Sequence, residues 1–303
     1  MSQPQIAESE LSLPNSVKEA IVVEELRRTP EAQAEVERLG KADTYVILDR
    51  DIALFDWLDD QRDTKLCGYV IGSQGSGLSK ACQFYRAKHV KRRGRLLQVP
   101  ATVIYAEVQQ HGGPTYLYYA ILGEIGHPLA KVGVLRDLRS RAWGTLKDYG
   151  VKLLIVGNAD YLKLEAFNEL IDLFSKLRIA IALVGTDTLA ETLDRRGSAY
   201  RRVHDAFLES FDFLNLTPED VKEVIEHWEN QFLPVGARLN IAHVSDVCKF
   251  LELKSKGRIE PLYDLLRKIA ILKIDEPKLK LSSSNLVDRF GKRNVPRERI
   301  STR

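Results

Sequence analysis

Several features that mark particular protein classes are scarce in this chain of 303 residues. Its three cysteines, Cys67, Cys82 and Cys248, have spacings that fit neither a disulfide framework nor a zinc site. No apolar run reaches the roughly 18 residues that a membrane-spanning helix needs, and the opening residues are polar and acidic rather than typical of a secretory signal. We therefore expect a protein of the reducing cytoplasm, with no membrane contact and no metal site.

A strong charge of one sign is also missing, since 45 Lys and Arg oppose 42 Asp and Glu and leave a net charge of +3. Binding of nucleic acid would therefore have to come from a local patch. The stretch RAKHVKRRGR (86–95) is one candidate, because six of its ten residues are basic. Clustered basic side chains supply the electrostatic part of DNA binding, but a solvated helix face gives the same pattern.

The most informative stretch joins a strand pattern to a helix pattern through glycines. The apolar run YVI (69–71) leads into GSQGSGLS (72–79), and a helical pattern begins directly afterwards. A strand, a glycine loop and a helix in this order, with two glycines five positions apart, are typical of a phosphate-binding P-loop. A glycine turn with no role in nucleotide binding is the simpler alternative.

Groups that a working P-loop needs are nevertheless absent. Leu78 stands where a lysine should reach the phosphates, although Ser79 remains at the position of the magnesium-binding hydroxyl. The buried strand pattern VKLLIVGNAD should contain an Asp-Glu pair that orders the magnesium ion and the attacking water. It has Gly157 and Asn158 instead. Asp160 follows two positions later, where a carboxylate belongs to the turn more often than to a metal.

Strand and helix patterns alternate along the chain as far as about residue 214, and only helix patterns follow. This order predicts an α/β fold in which helices flank a parallel sheet, followed by a small helical lid. Within the lid, Thr217 is the expected N-cap and Pro218 the first residue of a helix. We expect four segments, namely a flexible N-terminal arm (1–30), the α/β core (31–214), the lid (215–275) and a basic, flexible C-terminal tail (276–303).

Two further segments have patterns of their own. The tail carries eight basic and three acidic residues, which suits either a solubilising extension or an arm that touches DNA or a partner protein. The run TYVIL (44–48) has the β-branched and aromatic residues of a strand, and we expect a strand there.

Six short stretches follow one another in a recognisable order. They are FDWLD (55–59), the glycine loop (72–79), VIYAEVQQHGGP (103–114), LLIVGNADYLK (153–163), LVGTD (183–187) and WEN (228–230). In order and spacing, over roughly residues 30–275, the chain resembles the AAA+ transposition regulators of the TniB/TnsC family, relatives of the phage Mu target-binding ATPase. Members of that family use ATP to form oligomers on duplex DNA, and they connect a target-selection module, CRISPR-guided in some systems, to the transposase.

The resemblance implies an AAA+ P-loop NTPase-like fold with a degenerate nucleotide site. The residues of that site are Gly72, Gly75, Gly77, Leu78, Ser79 and Thr186. Thr186 matches the first sensor position, and either Arg195 or Arg202 matches the arginine finger that reaches a neighbour's nucleotide. In the lid, Pro261 stands where a sensor arginine belongs.

Because the lysine, both carboxylates and the sensor arginine are absent together, we assign no catalytic residue and expect a pseudo-ATPase. Binding of ATP with magnesium, without hydrolysis, stays open because the backbone cradle and the helix N-terminus remain.

Three functions are compatible with this combination. The first is a non-hydrolysing transposition regulator that oligomerises on duplex DNA and links a target-selection protein to a transposase. Its candidate DNA contacts are His111, Lys131, Arg136, Arg139, Lys91, Arg92 and Arg93. The second is a subunit that contacts an active AAA+ paralogue and donates one of the two candidate finger arginines to it. The third is an enzyme in which Lys80 or another lysine takes the role missing at Leu78, but no carboxylate pair supports it.

Overall fold

The computed structural model describes residues 28–41, 44–90, 102–195 and 197–291, and its contacts divide the chain into two compact units. The larger unit runs from Tyr45 to Asp264. The smaller unit combines the described residues of 1–44 with those of 265–303. Within the described ranges, no helix combines the length and the apolar character that crossing a membrane requires.

A five-stranded sheet forms the centre of the larger unit. Its strands are β1 (Cys67–Gly72), β2 (Val103–Glu107), β3 (Leu153–Gly157), β4 (Ala180–Gly185) and β5 (Glu209–Phe213). They lie in the order β2-β3-β4-β1-β5, and the four pairings are all parallel. Strands β3 and β4 are buried at every position, which explains why they read as continuous apolar runs in the sequence.

Helices fill most of the remaining described chain. They are α1 (Pro30–Gly40), α2 (Asp49–Thr64), α3 (Leu78–Lys88), α4 (Pro114–Glu124), α5 (Leu135–Asp148), α6 (Leu164–Leu177), α7 (Asp187–Leu193), α8 (Ser198–Ala206), α9 (Pro218–Phe232), α10 (Ser245–Ser255), α11 (Ile259–Asp275) and α12 (Ser283–Gly291). The larger unit thus contains the sheet, the helices connecting its strands, and a helical part made of α9, α10 and the start of α11.

Apolar side chains pack on both faces of the sheet. Leu154 and Val156 of β3 belong to one buried cluster, which also includes side chains of α4, α5 and α6. Leu153 and Ile155 belong to a second cluster with side chains of α2 and α3. Because successive strand residues point to opposite faces, these alternating memberships show a sheet covered by helices on each side.

The parallel arrangement gathers the carboxyl ends of the strands at one edge. In the sheet register, Glu107 at the end of β2 pairs with Gly157 at the end of β3. Likewise, Ile71 near the end of β1 pairs with the last residue of β4. The segments that follow these strands therefore lie beside one another, and the glycine loop is among them.

The predicted α/β architecture with a parallel sheet flanked by helices is confirmed. The start of α9 also agrees with its prediction. The Thr217 hydroxyl accepts the Asp220 N–H at 3.1 Å, the Thr217 N–H donates to the Asp220 carboxylate at 2.8 Å, and Pro218 is the first helical residue. These two reciprocal bonds satisfy amide groups that the helix itself leaves unpaired.

Two local expectations were wrong. Residues 44–48 are irregular rather than a strand, because this segment caps α2: the Leu48 N–H donates to Asp51 Oδ2 at 2.9 Å. Part of the tail that was expected to be flexible forms α12, in which Leu286 is fully buried. The basic residues at 292–303 lie outside the described residues. The boundary predicted between residues 214 and 215 stays a prediction, since the larger unit includes both sides of it.

The smaller unit is held by contacts between distant parts of the chain. Arg28 Nε and Asp275 Oδ1 are 2.6 Å apart, and Arg267 Nε donates to the Leu39 carbonyl at 3.1 Å. These two contacts connect the first described segment of the sequence to α11.

Candidate functional site

The glycine loop between β1 and α3 is fastened through three consecutive carbonyl groups, those of residues 74–76. Arg258 Nη1 donates to the first at 3.2 Å, and the backbone N–H of Glu260 donates to the second at 3.1 Å. Arg50 Nη2 donates to the third at 2.8 Å, and its guanidinium lies 4.4 Å from the centroid of the Phe213 ring. Protein groups from α2 and from the start of α11 therefore hold the loop in shape.

Close packing against the start of α11 accounts for two of the loop glycines. Gly75 and Gly77 have φ angles of 79° and 91°, in the left-handed region that favours glycine. A Cβ atom at position 77 would stand 2.7 Å from Ile259 Cγ2, and one at position 75 would stand 3.3 Å from Pro261 Cδ. The Glu260 carboxylate is 3.6 Å from the point where a Cβ at position 75 would stand, and it adds a negative charge beside the loop.

Leu78 fills the base of the loop. Its side chain is only 6% exposed and belongs to the same apolar cluster as Leu54 and Val70. Its Cδ2 atom lies 2.8 Å from the point where a Cβ at Gly72 would stand, so the first glycine of the loop is required for this packing. The position that carries a lysine in a working P-loop is thus part of the hydrophobic core.

Tyr105 of β2 occupies the space beside Gly157, where the motif of a working P-loop protein has its first carboxylate. The Tyr105 hydroxyl donates to Glu107 Oε1 at 2.8 Å and is also hydrogen bonded to Ser79. The same hydroxyl lies 2.6 Å from the point where a Cβ at Gly157 would stand. Burial raises the pKa of the Tyr105 phenol well above its ordinary value, so this group stays protonated. The Ser79 hydroxyl is therefore engaged by a protein side chain.

Asp160, the carboxylate that remains after the lost acidic pair, belongs to a turn. Its Oδ1 atom accepts the Thr186 N–H at 2.9 Å and the Thr186 hydroxyl at 2.8 Å. The two bonds connect the end of β3 to the end of β4. They also commit the hydroxyl of Thr186, the predicted sensor residue, to a structural contact.

The side chains at this edge do not fit a site that hydrolyses magnesium-bound ATP. The phosphate-binding cation is replaced by a buried leucine, and the place of the metal-ordering carboxylate is filled by the Tyr105 hydroxyl. Across the described ranges, no three His, Cys, Asp or Glu side chains gather as metal ligands do. One feature favours an anion. The Ser76 hydroxyl is buried without a hydrogen-bond partner in the described structure, next to a helix N-terminus.

The two candidate finger arginines have different surroundings. Arg202 Nη2 pairs with Asp172 at 2.6 Å, and Arg202 Nη1 donates to Asn168 at 3.4 Å. Arg195 is exposed, and its guanidinium lies 5.5 Å from the centroid of the Tyr200 ring. Both side chains are thus exposed, but the charge of Arg195, unlike that of Arg202, is not balanced by a carboxylate among the described residues.

His111 lies at an exposed tip between β2 and α4. Its ring centroid is 5.9 Å from that of Tyr116, and a shallow pocket brings both beside Lys163. The loop is fixed by the Gly112 carbonyl, which accepts the Lys163 N–H at 3.0 Å. A Cβ at Gly112 would stand 1.6 Å from the Tyr161 carbonyl oxygen, so only glycine allows this approach. The result is an exposed surface with aromatic and basic groups.

The basic residues near α5 divide into two kinds. Lys131 and Arg136 are exposed. Arg139 instead forms a bidentate ion pair with Glu169, in which Nε and Oε2 are 2.7 Å apart and Nη2 contacts Oε1. Glu169 is 9% exposed and also accepts the Tyr118 hydroxyl at 2.7 Å. The hydrogen bond to Glu169 raises the pKa of Arg139, whose charge connects α5 to α6.

The described part of the basic stretch 86–95 makes contacts within the chain. Arg86 pairs with Glu124, and Lys88 Nζ lies 4.6 Å from the centroid of the Phe55 ring. The candidates Lys91, Arg92 and Arg93 lie outside the described residues.

Arg50, Tyr105 and Arg258 are the site residues that the sequence patterns did not single out. A signal existed for Tyr105, since a tyrosine inside the buried run TVIYAEV needs a partner for its hydroxyl. The two arginines contact the loop from about 26 and 184 positions away in the sequence, and no local pattern indicates this.

Known proteins share this fold. A family model described as an AAA domain matches residues 61–193. The Aeropyrum pernix ORC2 protein, in its ADPNP–ADP complexes, is similar with a TM-score of 0.60 and 13% identity, covering 83% of this chain and 70% of that chain. Drosophila ORC bound to DNA is similar with a TM-score of 0.52 and 16% identity, covering 98% of this chain and 74% of that one. No curated protein sequence matches the chain. Together with the sheet topology, these similarities show an AAA+ P-loop fold.

Proposed function

We propose that this chain uses its AAA+ P-loop fold as a non-hydrolysing transposition regulator of the TniB/TnsC type in the cytoplasm. It forms oligomers on duplex DNA and links a target-selection protein, CRISPR-associated in some systems, to a transposase. The observation that carries the loss of hydrolysis is the Tyr105 hydroxyl, which engages Ser79 and fills the space beside Gly157.

The chemistry of the loop supports this proposal. Hydrogen bonds from a charged donor to phosphate contribute about 1.5–3 kcal/mol each, and Leu78 provides none of them. Because Gly157 and Asn158 stand in place of the Asp-Glu pair, the two carboxylates that would order a magnesium ion and polarise a water for attack are missing at these positions. Meanwhile Arg50 and Arg258 hold the loop through its carbonyl groups. The loop therefore keeps its conformation through the protein's own contacts, and assembly is expected without nucleotide.

DNA binding is supported by the exposed groups near α4 and α5. His111 and Lys163 lie together, and Lys131 and Arg136 are exposed. Basic side chains of this kind contact phosphates, and an exposed aromatic ring adds apolar contact area. The Drosophila ORC with a similar fold is bound to DNA in its structure, which favours the same class of ligand for this chain.

The link to transposition depends on the order of the sequence motifs. In the structure, two of these motifs provide aromatic packing. Trp57 of FDWLD lies 5.9 Å from the Phe211 ring, and Trp228 of WEN is buried. These aromatic residues stabilise the fold, so the partners proposed here, a transposase and a target-selection protein, are inferred from the motif order as a whole.

A second candidate function is a pseudo-ATPase subunit that acts on an active AAA+ paralogue. The observation that favours it is the exposure of Arg195, which has no carboxylate partner in the described part of the chain. An arginine supplied to a neighbour's nucleotide stabilises the charge that develops in phosphoryl transfer. In this case the protein alone has no activity, but it raises ATP turnover in a mixture with the paralogue.

Electron microscopy of the purified protein with duplex DNA, with and without ATP and magnesium, tests the first function. Rings or filaments on DNA in both conditions are the expected result. Assembly only with ATP would contradict the proposed role of Leu78. If neither condition gives assembly, the second function is tested with the active paralogue, where Arg195→Ala should abolish the gain in turnover and Arg202→Ala should retain it.

A further inference from the structure

The amino-terminal edge of the sheet, opposite the glycine loop, contains a cavity of about 490 Å³. It lies where α2, α5 and α6 end and where β1, β3 and β4 begin. Its apolar walls include Leu146, Val151 and Ile179. The cavity is independent of the proposed function, since none of the residues assigned to nucleotide or DNA lines it.

The cavity is strongly basic. Its charged lining consists of Arg62, Lys65, Lys147, Lys152 and Arg178 against the single carboxylate of Asp63, a formal charge of +4. Arg62 is paired, with Asp59 at 2.7 Å and with Asp63 at 3.2 Å. The other four basic side chains are exposed and form no ion pair with any described residue. They come from the ends of three different helices and the start of β3, so the fold itself assembles them.

The negative C-terminal ends of three helices balance only part of this positive charge. Each C-terminus carries about −0.5 of an elementary charge, so three of them bring about −1.5 to the cavity, less than the side chains supply. Lys65 and Arg178 also have positive φ angles, of 57° and 54°, where the backbone favours glycine or asparagine. Their basic side chains are therefore not what the local backbone prefers. An excess of positive charge on a concave surface remains.

We propose that this cavity binds a compact polyanion that carries two or more phosphoryl groups. Its volume lies within the range of about 300–1,000 Å³ that is typical of small-molecule sites. Lysine and arginine side chains are the usual partners of phosphate oxygens. A duplex spreads its charges along a rod, at about 1.7 Å per charge, whereas these cations line a single, partly open recess. A small polyphosphate matches the recess better than a duplex does.

Isothermal titration with tripolyphosphate tests the proposal on the full-length protein. We expect binding to the wild type and at least tenfold weaker binding to the double variant Lys147→Gln, Lys152→Gln. A matched control changes the same number of charges elsewhere, as Lys249→Gln, Lys254→Gln on exposed positions of α10, and should change the affinity less than twofold. Arg178→Asn provides a third variant, because asparagine suits the positive φ and the fold should be retained while binding weakens.

Each outcome decides the proposal. Loss of binding in the cavity variants alone supports it. An absence of heat with the wild type, or equal weakening in the cavity and control variants, would overturn it. Retention of tripolyphosphate binding by the cavity variants together with loss of duplex DNA binding would also overturn it, since the cavity would then belong to a nucleic-acid surface.

Discussion

The Tyr105 hydroxyl lies 2.6 Å from the point where a Cβ atom at position 157 would stand. Gly157 is the last residue of β3, and Tyr105 is on the paired strand β2. No side chain larger than hydrogen fits there while the tyrosine holds its bonds to Ser79 and Glu107. The missing carboxylate of β3 and the buried tyrosine of β2 are therefore one structural feature, because the phenol occupies the space that a side chain at position 157 would need.

This relationship predicts that Gly157→Ala is more destabilising while Tyr105 is present than after the phenol is removed. The added methyl group overpacks the site against the phenol, and overpacking of this kind costs about 1–3 kcal/mol. In the background of Tyr105→Leu, which removes the phenol, the same change should cost at least about 1 kcal/mol less. Urea unfolding of the four proteins in the double-mutant cycle measures the free energy of coupling.

Gly144→Ala is the matched control for this cycle, because a Cβ at that position on α5 meets no atom within 4 Å. It should stabilise the protein by about 0.5–1 kcal/mol, as expected for glycine replaced within a helix. Equal effects of Gly157→Ala in both backgrounds would show that the tyrosine does not fill the position.

Restoring the P-loop lysine should not restore an ATPase. In Leu78→Lys the ammonium group would be buried in an apolar cluster, where the charged form is disfavoured. We expect the variant to lose more than about 2 kcal/mol of unfolding free energy and to show no ATP turnover. Leu78→Met is the control, because it conserves volume and should cost less than about 1.5 kcal/mol. A stable Leu78→Lys protein that turns over ATP would disprove the assignment of this edge as non-catalytic.

Arg136 and Arg139 lie three positions apart on α5. Their substitution by glutamine should distinguish an effect on DNA binding from an effect on stability. Arg136→Gln removes an exposed charge, so unfolding free energy should change by less than about 0.5 kcal/mol. If Arg136 contacts a phosphate, the slope of log affinity against log salt should fall by about 0.9. Arg139→Gln should leave that slope unchanged and cost about 1–2 kcal/mol, because it leaves Glu169 buried without its cation.

Fluorescence anisotropy with labelled duplex DNA, at several salt concentrations, measures the slopes, and urea unfolding measures the stabilities. The cost given for Arg139 is below that of a fully buried pair, since its side chain is 38% exposed and solvent screens the charge. If Arg139→Gln changes the slope of log affinity against log salt without loss of stability, Arg139 contacts DNA instead of stabilising the fold.

The sequence predicts the architecture well because the architecture depends on local patterns. Strands β3 and β4 are continuous apolar runs, and the start of α9 has its Thr-Pro cap. Strand β5 was not recognised, since three of its five residues are exposed and no apolar run marks it. TYVIL (44–48) has strand composition, but it is not part of the described five-stranded sheet, and its last residue caps a helix instead.

The candidate site was only partly predictable, for a different physical reason. Leu78 and Gly157 were recognisable because they break a motif at a known spacing. The groups that replace the missing chemistry, Tyr105, Arg50 and Arg258, act through contacts between distant segments. Similarly, nothing in the sequence distinguishes the exposed Arg136 from the ion-paired Arg139, because the partner of Arg139 is Glu169 on another helix.

His89, at the C-terminal end of α3, should make stability depend on pH. Its ring centroid is 4.6 Å from that of Tyr85, and burial lowers its pKa, assisted by the charges of Arg62 and Lys88. Asp59 and Asp63 act in the opposite direction but do not reverse the shift. Because the folded pKa lies below the unfolded value of about 6.5, the unfolded chain binds more protons in this range. The free energy of unfolding should therefore fall as the pH drops below about 7 and continue to fall until it passes the folded pKa.

The variant His89→Gln isolates this contribution, since glutamine does not titrate. Urea unfolding at several values between pH 5 and pH 8 should give a shallower decline with decreasing pH for the variant than for the wild type. The carboxyl groups of Asp51, Glu124 and Glu229, whose pKa values are raised by burial, change stability in the opposite sense. They are present in both proteins, so the difference between the two curves reports His89 alone. Parallel curves would mean that the ring titrates equally in the folded and unfolded chains, and that its burial does not disfavour the charged form.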